Sequence, residues 1–211
     1  MGTIDTGIAA ASALFSAVAG LAAYKTAREA NRTAGAVAQI ERDRWHTEMT
    51  PQVQLRFDTS GGAPHVVVKF LGPAPLTRIQ TVVRIRDDRE RGSSQASGAP
   101  TAQQVSDVVW GPYRLRPGID GADPQGRAVA PFELVHRGQT RFALEPTPAP
   151  SWYPSAQMWR DDYDGTKLRL WVECSAQGHK PWTLSADLTT ATSGSGLGAV
   201  AQVTGRTVVA S

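Results

Sequence analysis

The chain has 211 residues, a formal charge of +3 and one cysteine. That length allows one domain of about 150 residues plus an appendage. The lone cysteine, Cys174, excludes an internal disulfide, and a small arginine excess is not the basic stripe that would indicate nucleic acid.

Residues 6–24 form nineteen positions without a charge, between Asp5 and Lys25. As a helix they rise roughly 29 Å, close to the roughly 30 Å hydrocarbon core of a bilayer. Eight of the nineteen are alanine, and only Ile8, Leu14, Phe15, Val18 and Leu21 are strongly apolar. Their summed insertion energy is about −2 kcal/mol, opposed by the serines, glycines and Thr6, so the segment is a marginal membrane span. Ser12, Ser16 and Gly20 repeat every fourth position, the small-xxx-small spacing that lets membrane helices approach closely. They are the candidate helix-association residues, and with them comes a homo-oligomer. Ala17-Val18-Ala19 resembles a cleavage site, but no Lys or Arg precedes it, so a cleaved signal peptide is not expected. Lys25, Arg28, Arg32, Arg42 and Arg44 follow the run. Basic residues favour the cytoplasmic side, which predicts a bacterial membrane protein with its N-terminus outside and its C-terminal domain cytoplasmic. The competing expectation is a soluble helix in a bundle or coiled coil.

Helix formers continue to about Trp45, and Pro51 stops the helix because the residue before a proline avoids helical geometry. The predicted units are 1–48 for the helix, 49–190 for a β domain and 191–211 for a flexible tail with room for one added strand. After Pro51 the apolar period changes to two. Val53, Leu55 and Phe57 alternate with polar residues, as do Val66, Val68 and Phe70. Further strands are expected at 77–86, at 108–115 carrying Trp110 and Tyr113, at 132–144 as two short pieces, at 167–174 and at 182–188. Seven or eight short strands with turns between them predict a mainly β chain, an antiparallel β-sandwich preceded by one long N-terminal α-helix. The loops 89–100 and 117–131 are long and rich in Gly, Ser and Pro, and are expected to be disordered rather than functional.

Gly-x-Ser-x-Gly, His-Glu-x-x-His and a Walker loop do not occur, and His46, His65, His136, His179 and Cys174 lack zinc spacing. Gly194-Ser195-Gly196-Leu197-Gly198-Ala199 fits a dinucleotide fingerprint, but too little chain follows it for a crossover helix. Asp161-Asp162-Tyr163-Asp164-Gly165 resembles part of a calcium loop, yet Arg160 and Trp171 would occupy the first and last ligand positions. Asn31-Arg32-Thr33 fits a glycosylation sequon by chance. The reading therefore implies no catalysis, no cofactor and no metal.

One cluster remains. Trp152, Tyr153, Trp159, Tyr163, Trp171 and Trp182 fall close together in sequence, and aromatic residues are enriched at recognition sites. Trp152, Tyr153, Trp159 and Trp171 are the candidate partner-binding residues. The alternative is that the Pro-rich segment folds back and covers a sheet face with Trp152 and Trp159.

The blocks Met49-Thr50-Pro51-Gln52, Val83-Arg84-Ile85-Arg86-Asp87-Asp88, Val109-Trp110-Gly111-Pro112-Tyr113-Arg114, Leu144-Glu145-Pro146-Thr147-Pro148 and Pro181-Trp182-Thr183-Leu184 resemble a set of uncharacterised actinobacterial proteins. That set pairs an N-terminal apolar helix with a β-rich domain. The resemblance spans about residues 40–190 and implies a cytoplasmic-side bacterial domain without implying an activity. The expected function is a membrane-anchored binding or scaffold module, with the lipid bilayer and an unknown protein as partners. The alternative is a soluble structural subunit that assembles through its helix.

Overall fold

The computed structural model describes the backbone of residues 3–86, 100–190 and 200–203, and the side chains of 23–86 and 100–190. The chain divides into two compact units, Met1–Glu48 and Met49–Ser211. The first is helix α1, Thr3–Glu48. At 46 residues it rises roughly 69 Å and ends three residues before Pro51. From residue 23 to Glu48 no residue is buried, and Tyr24, Val37, Ile40 and Trp45 all point at least half exposed into solvent. Local pairs steady this surface, including Arg44–Glu48 at 2.9 Å and Gln39 Nε2 donating to Asp43 at 3.0 Å. Among the described residues no helix is long and apolar enough to cross a membrane. The side chains of Ser12 and Ser16, Gly20, and most of the 6–24 run lie outside the described residues.

The second unit is an antiparallel β-sandwich. Its strands are β1 Gln52–Asp58, β2 His65–Gly72, β3 Arg78–Ile85, β4 Tyr113–Leu115, β5 Phe132–Val135, β6 Gln139–Pro146, β7 Lys167–Ser175, β8 Trp182–Thr189 and β9 Val200–Val203. Two short helices, α2 Ala102–Ser106 and α3 Ala156–Tyr163, lie between strands. One sheet has the order β4-β6-β2-β1-β9 and the other β5-β3-β7-β8. Each strand puts alternate residues inward. Val53, Leu55 and Phe57 meet Val66, Val68 and Phe70 from the first sheet, and Leu168, Leu170, Val172 and Cys174 line the second. Burying each such side chain is worth roughly 1.5–3 kcal/mol. Burial also pushes the Cys174 thiol up to about 12, so this cysteine is a packing residue. The described core cluster begins at Met49 and takes no residue from α1.

Two features differ from the sequence expectation. The fourth strand covers only Tyr113–Leu115, and Val108 to Pro112 is irregular because Gly111 and Pro112 break the ladder. The added strand for which the tail had room is β9, which pairs with β1 through Val53↔Val203 and Arg56↔Val200. The rest of the expected flexible tail, 191–199 and 204–211, lies outside the described residues, as does the loop 89–100 except Pro100. The loop 117–131 is ordered, not disordered. Both Asp123 carboxylate oxygens accept backbone N–H bonds, Oδ1 from Arg127 at 2.8 Å and Oδ2 from Ala128 at 2.9 Å. Val129 N donates to Val83 O at 3.0 Å and Ile85 N to Arg127 O at 2.7 Å. The loop thus continues the edge of β3 where β5 stops at Thr81. Gly126 is required there. Its φ of +74° is left-handed, and a Cβ would strike the Leu115 carbonyl that its backbone approaches.

Candidate functional site: an aromatic cluster and its groove

Ser155 caps α3 by accepting a bond from Met158 N at 3.0 Å, which fixes where the helix starts. Trp159 then points inward and is only 2% exposed. Its indole Nε1 donates to Thr147 O at 3.0 Å, tying α3 to the Pro-rich segment after β6. Four rings gather around it. Trp159 lies 4.7 Å from Tyr163, 5.0 Å from Tyr153 and 5.5 Å from Trp110, and Trp110 lies 5.9 Å from Trp152. Trp110 is held in turn by Nε1 donating to Val105 O at 3.1 Å. Helix α2, which supplies Val105, is closed by a capping box between Thr101 and Gln104. Arg127 fastens the same stretch, donating to Val108 O at 2.9 Å and also to Ser106 O.

The Tyr153 hydroxyl donates to the Asp162 carboxylate, and that bond is the main cause holding its phenol up to about 12. Tyr153 is therefore a neutral donor at any physiological pH. Beside the cluster runs a groove of about 510 Å³. Pro112, Tyr113, Pro146 and Thr147 form one wall; Trp159, Arg160, Tyr163 and Asp164 form the other. Thr147 is 5% exposed, and its Oγ1 has no hydrogen-bond partner among the described residues. The groove combines ring faces, proline rings, one cation and one carboxylate, and its lining contains neither histidine nor cysteine. Such a lining offers stacking faces and a few polar groups. Among the described residues no cluster of three metal-ligating side chains occurs.

The structure brings together Trp152, Tyr153 and Trp159 and separates them from Trp171. Trp159 is too deeply buried to offer more than an edge to the groove. Trp171 stands on the outer face of β7, with the Arg86 guanidinium 5.1 Å from its ring centre. No ring contact joins it to the cluster among the described residues. Trp182 is a core residue, 1% exposed. Sequence reasoning missed Trp110, which it placed on a strand, and the groove walls Pro112, Tyr113, Pro146 and Thr147. The Gly111-Pro112 pair was the available signal that Trp110 precedes a break and does not sit in a ladder.

No protein-family model matches the chain, and comparison with curated proteins and with solved structures returns no match. The class defined by fold and site is a long helix joined to an antiparallel β-sandwich that carries an aromatic groove.

Proposed function

We propose that this protein is a membrane-anchored binding module without catalytic activity. Residues 6–24 of α1 span the bilayer, and the sandwich lies on the cytoplasmic side and docks a protein partner at the aromatic groove. The observation that carries this reading is the continuous helix Thr3–Glu48, whose first half holds nineteen uncharged residues and whose second half holds basic ones. The self-sufficient core of the sandwich supports it, because such a domain can hang from an anchor without needing the helix. Half-buried Trp152 and Tyr153 and the nearby proline-lined groove supply the docking surface.

A second reading, a soluble structural subunit that assembles through α1, draws on Val37, Ile40 and Trp45. These are 53%, 64% and 53% exposed and lie beyond the nineteen-residue run, where lipid would not cover them. Two reporters fused after Ser211 separate the readings. A reporter active only in the cytoplasm should work, and one requiring export should fail. Two lysines within residues 2–6, combined with replacement of Lys25, Arg28 and Arg32, should weaken or reverse this pattern. Indifference of both reporters to these charges counts against a spanning helix.

A further inference from the structure

The two outer faces of the sandwich differ in how their charges are matched. On the face of β3, β7 and β8, the guanidiniums of Arg78, Arg84 and Arg86 each meet a carboxylate. Their partners are Glu133 at 3.4 Å, Glu173 at 2.9 Å and Asp187 at 3.5 Å. These three cations are matched one to one, and Lys167 and Arg169 stand beside them on the outer positions of β7.

On the face of β1, β2 and β6 the ion pair is Arg56–Asp58, and Lys69 and Arg141 stand near it. Strand register sets three outward rows across it: Asp58–His65–Ala143, Arg56–Val67–Arg141 and Gln54–Lys69–Gln139. Neighbouring strands are about 4.8 Å apart and alternate residues about 6.7 Å apart, so Arg56, Lys69 and Arg141 fit within a flat patch of about 10 by 14 Å. The patch contains one carboxylate, Asp58. That group is already engaged, accepting Ser60 N at 3.0 Å, Ser60 Oγ at 2.7 Å and Arg56 Nη2 at 3.2 Å. Bonds from Ser60, then the nearby Arg56 and Arg141 charges, hold its pKa below the usual value. Two arginines therefore share one committed anion, and Lys69 has no carboxylate in its row. Val67, between the two arginines, is 3% exposed although it points away from the sandwich core.

We infer that this face binds the phosphate headgroups of an anionic bilayer. The inference rests on the membrane-anchored reading, which places the sandwich near the cytoplasmic leaflet. A sheet face with three cations suits a plane of phosphates, and the cytoplasmic leaflet supplies one. A polyanion such as duplex nucleic acid is met along a longer basic track, which this face lacks.

The test uses the Met49–Ser211 unit, so that residues 6–24 contribute nothing, and vesicles of phosphatidylglycerol mixed with phosphatidylcholine. The unit should sediment with these vesicles and not with pure phosphatidylcholine, and added salt should release it. Lys69→Gln with Arg141→Gln should lower vesicle affinity roughly 25-fold, about fivefold per cation. Lys167→Gln, on the other outer face, should change it less than about twofold. Equal binding to neutral vesicles, indifference to Lys69→Gln with Arg141→Gln, or binding to a DNA duplex in place of vesicles overturns the inference. Because the unit lacks the helix, such a failure leaves the anchor untouched. Loss of membrane attachment by the full chain, in turn, leaves the vesicle result standing.

Discussion

Leu170→Asp or Val172→Asp is expected to unfold the sandwich, and Arg169→Asp is expected to leave it folded. Leu170 and Val172 are fully buried in the middle of β7, the strand paired on both sides by β3 and β8. A carboxylate there meets only apolar neighbours, and leaving it without a partner costs several kcal/mol. A domain of this size has about 5–15 kcal/mol in total, so the melt should disappear or fall steeply. Arg169 directly precedes Leu170 in sequence and has its side chain on the other face. Its backbone oxygen, which accepts Arg86 N at 2.8 Å, survives the substitution. Circular dichroism melts of the three variants decide the matter, and equal tolerance at all three positions contradicts the strand phase.

Trp159→Ala should cost about 3–5 kcal/mol, the usual range for emptying a buried aromatic site. The substitution removes the ring that contacts Trp110, Tyr153 and Tyr163. It also removes the donor that Thr147 O receives through the buried indole N–H. For a domain of this length the melting temperature should fall by roughly 6–20 °C. Trp171→Ala should cost far less, since its ring lies on the outer face against Arg86. A melt showing Trp171→Ala as the more damaging change would place the anchor of the aromatic region on the wrong residue.

Much of the β domain was legible because two inner faces impose period two. A sheet buried on one side repeats its apolar residues at alternate positions, and Leu168, Leu170, Val172 and Cys174 carry that pattern without interruption. The helix was legible because no Pro interrupts the chain before Pro51. The aromatic site was only half legible. Trp152, Tyr153 and Trp159 are near in sequence, but Trp110 reaches Trp159 from across β5 and β6, and no local period records such a contact. The ordered loop was hidden for a similar reason. Gly118, Gly121 and Gly126 look like loop composition, yet each has a positive φ within a hydrogen-bonded turn tied to β3. Composition reports which conformations a chain can adopt, and only the packed neighbours select one.

The outer faces illustrate the same limit at the level of function. Alternation assigns Arg56, Lys69, Arg84, Arg141 and Glu173 to solvent. It does not say which charges meet, because partners across a ladder depend on register. With Arg56↔Val67 and Val67↔Arg141 fixed, Arg56, Lys69 and Arg141 gather on one sheet, and Arg84 meets Glu173 on the other.

The membrane anchor is the central claim, and fractionation of the intact chain beside its Met49–Ser211 unit tests it most directly. The intact chain should sediment with membranes, resist extraction by high salt and alkali, and enter solution only with detergent. The shorter unit should be folded and released by salt alone. Recovery of the intact chain in the soluble fraction without detergent contradicts the anchor and leaves assembly through α1 as the role of the helix.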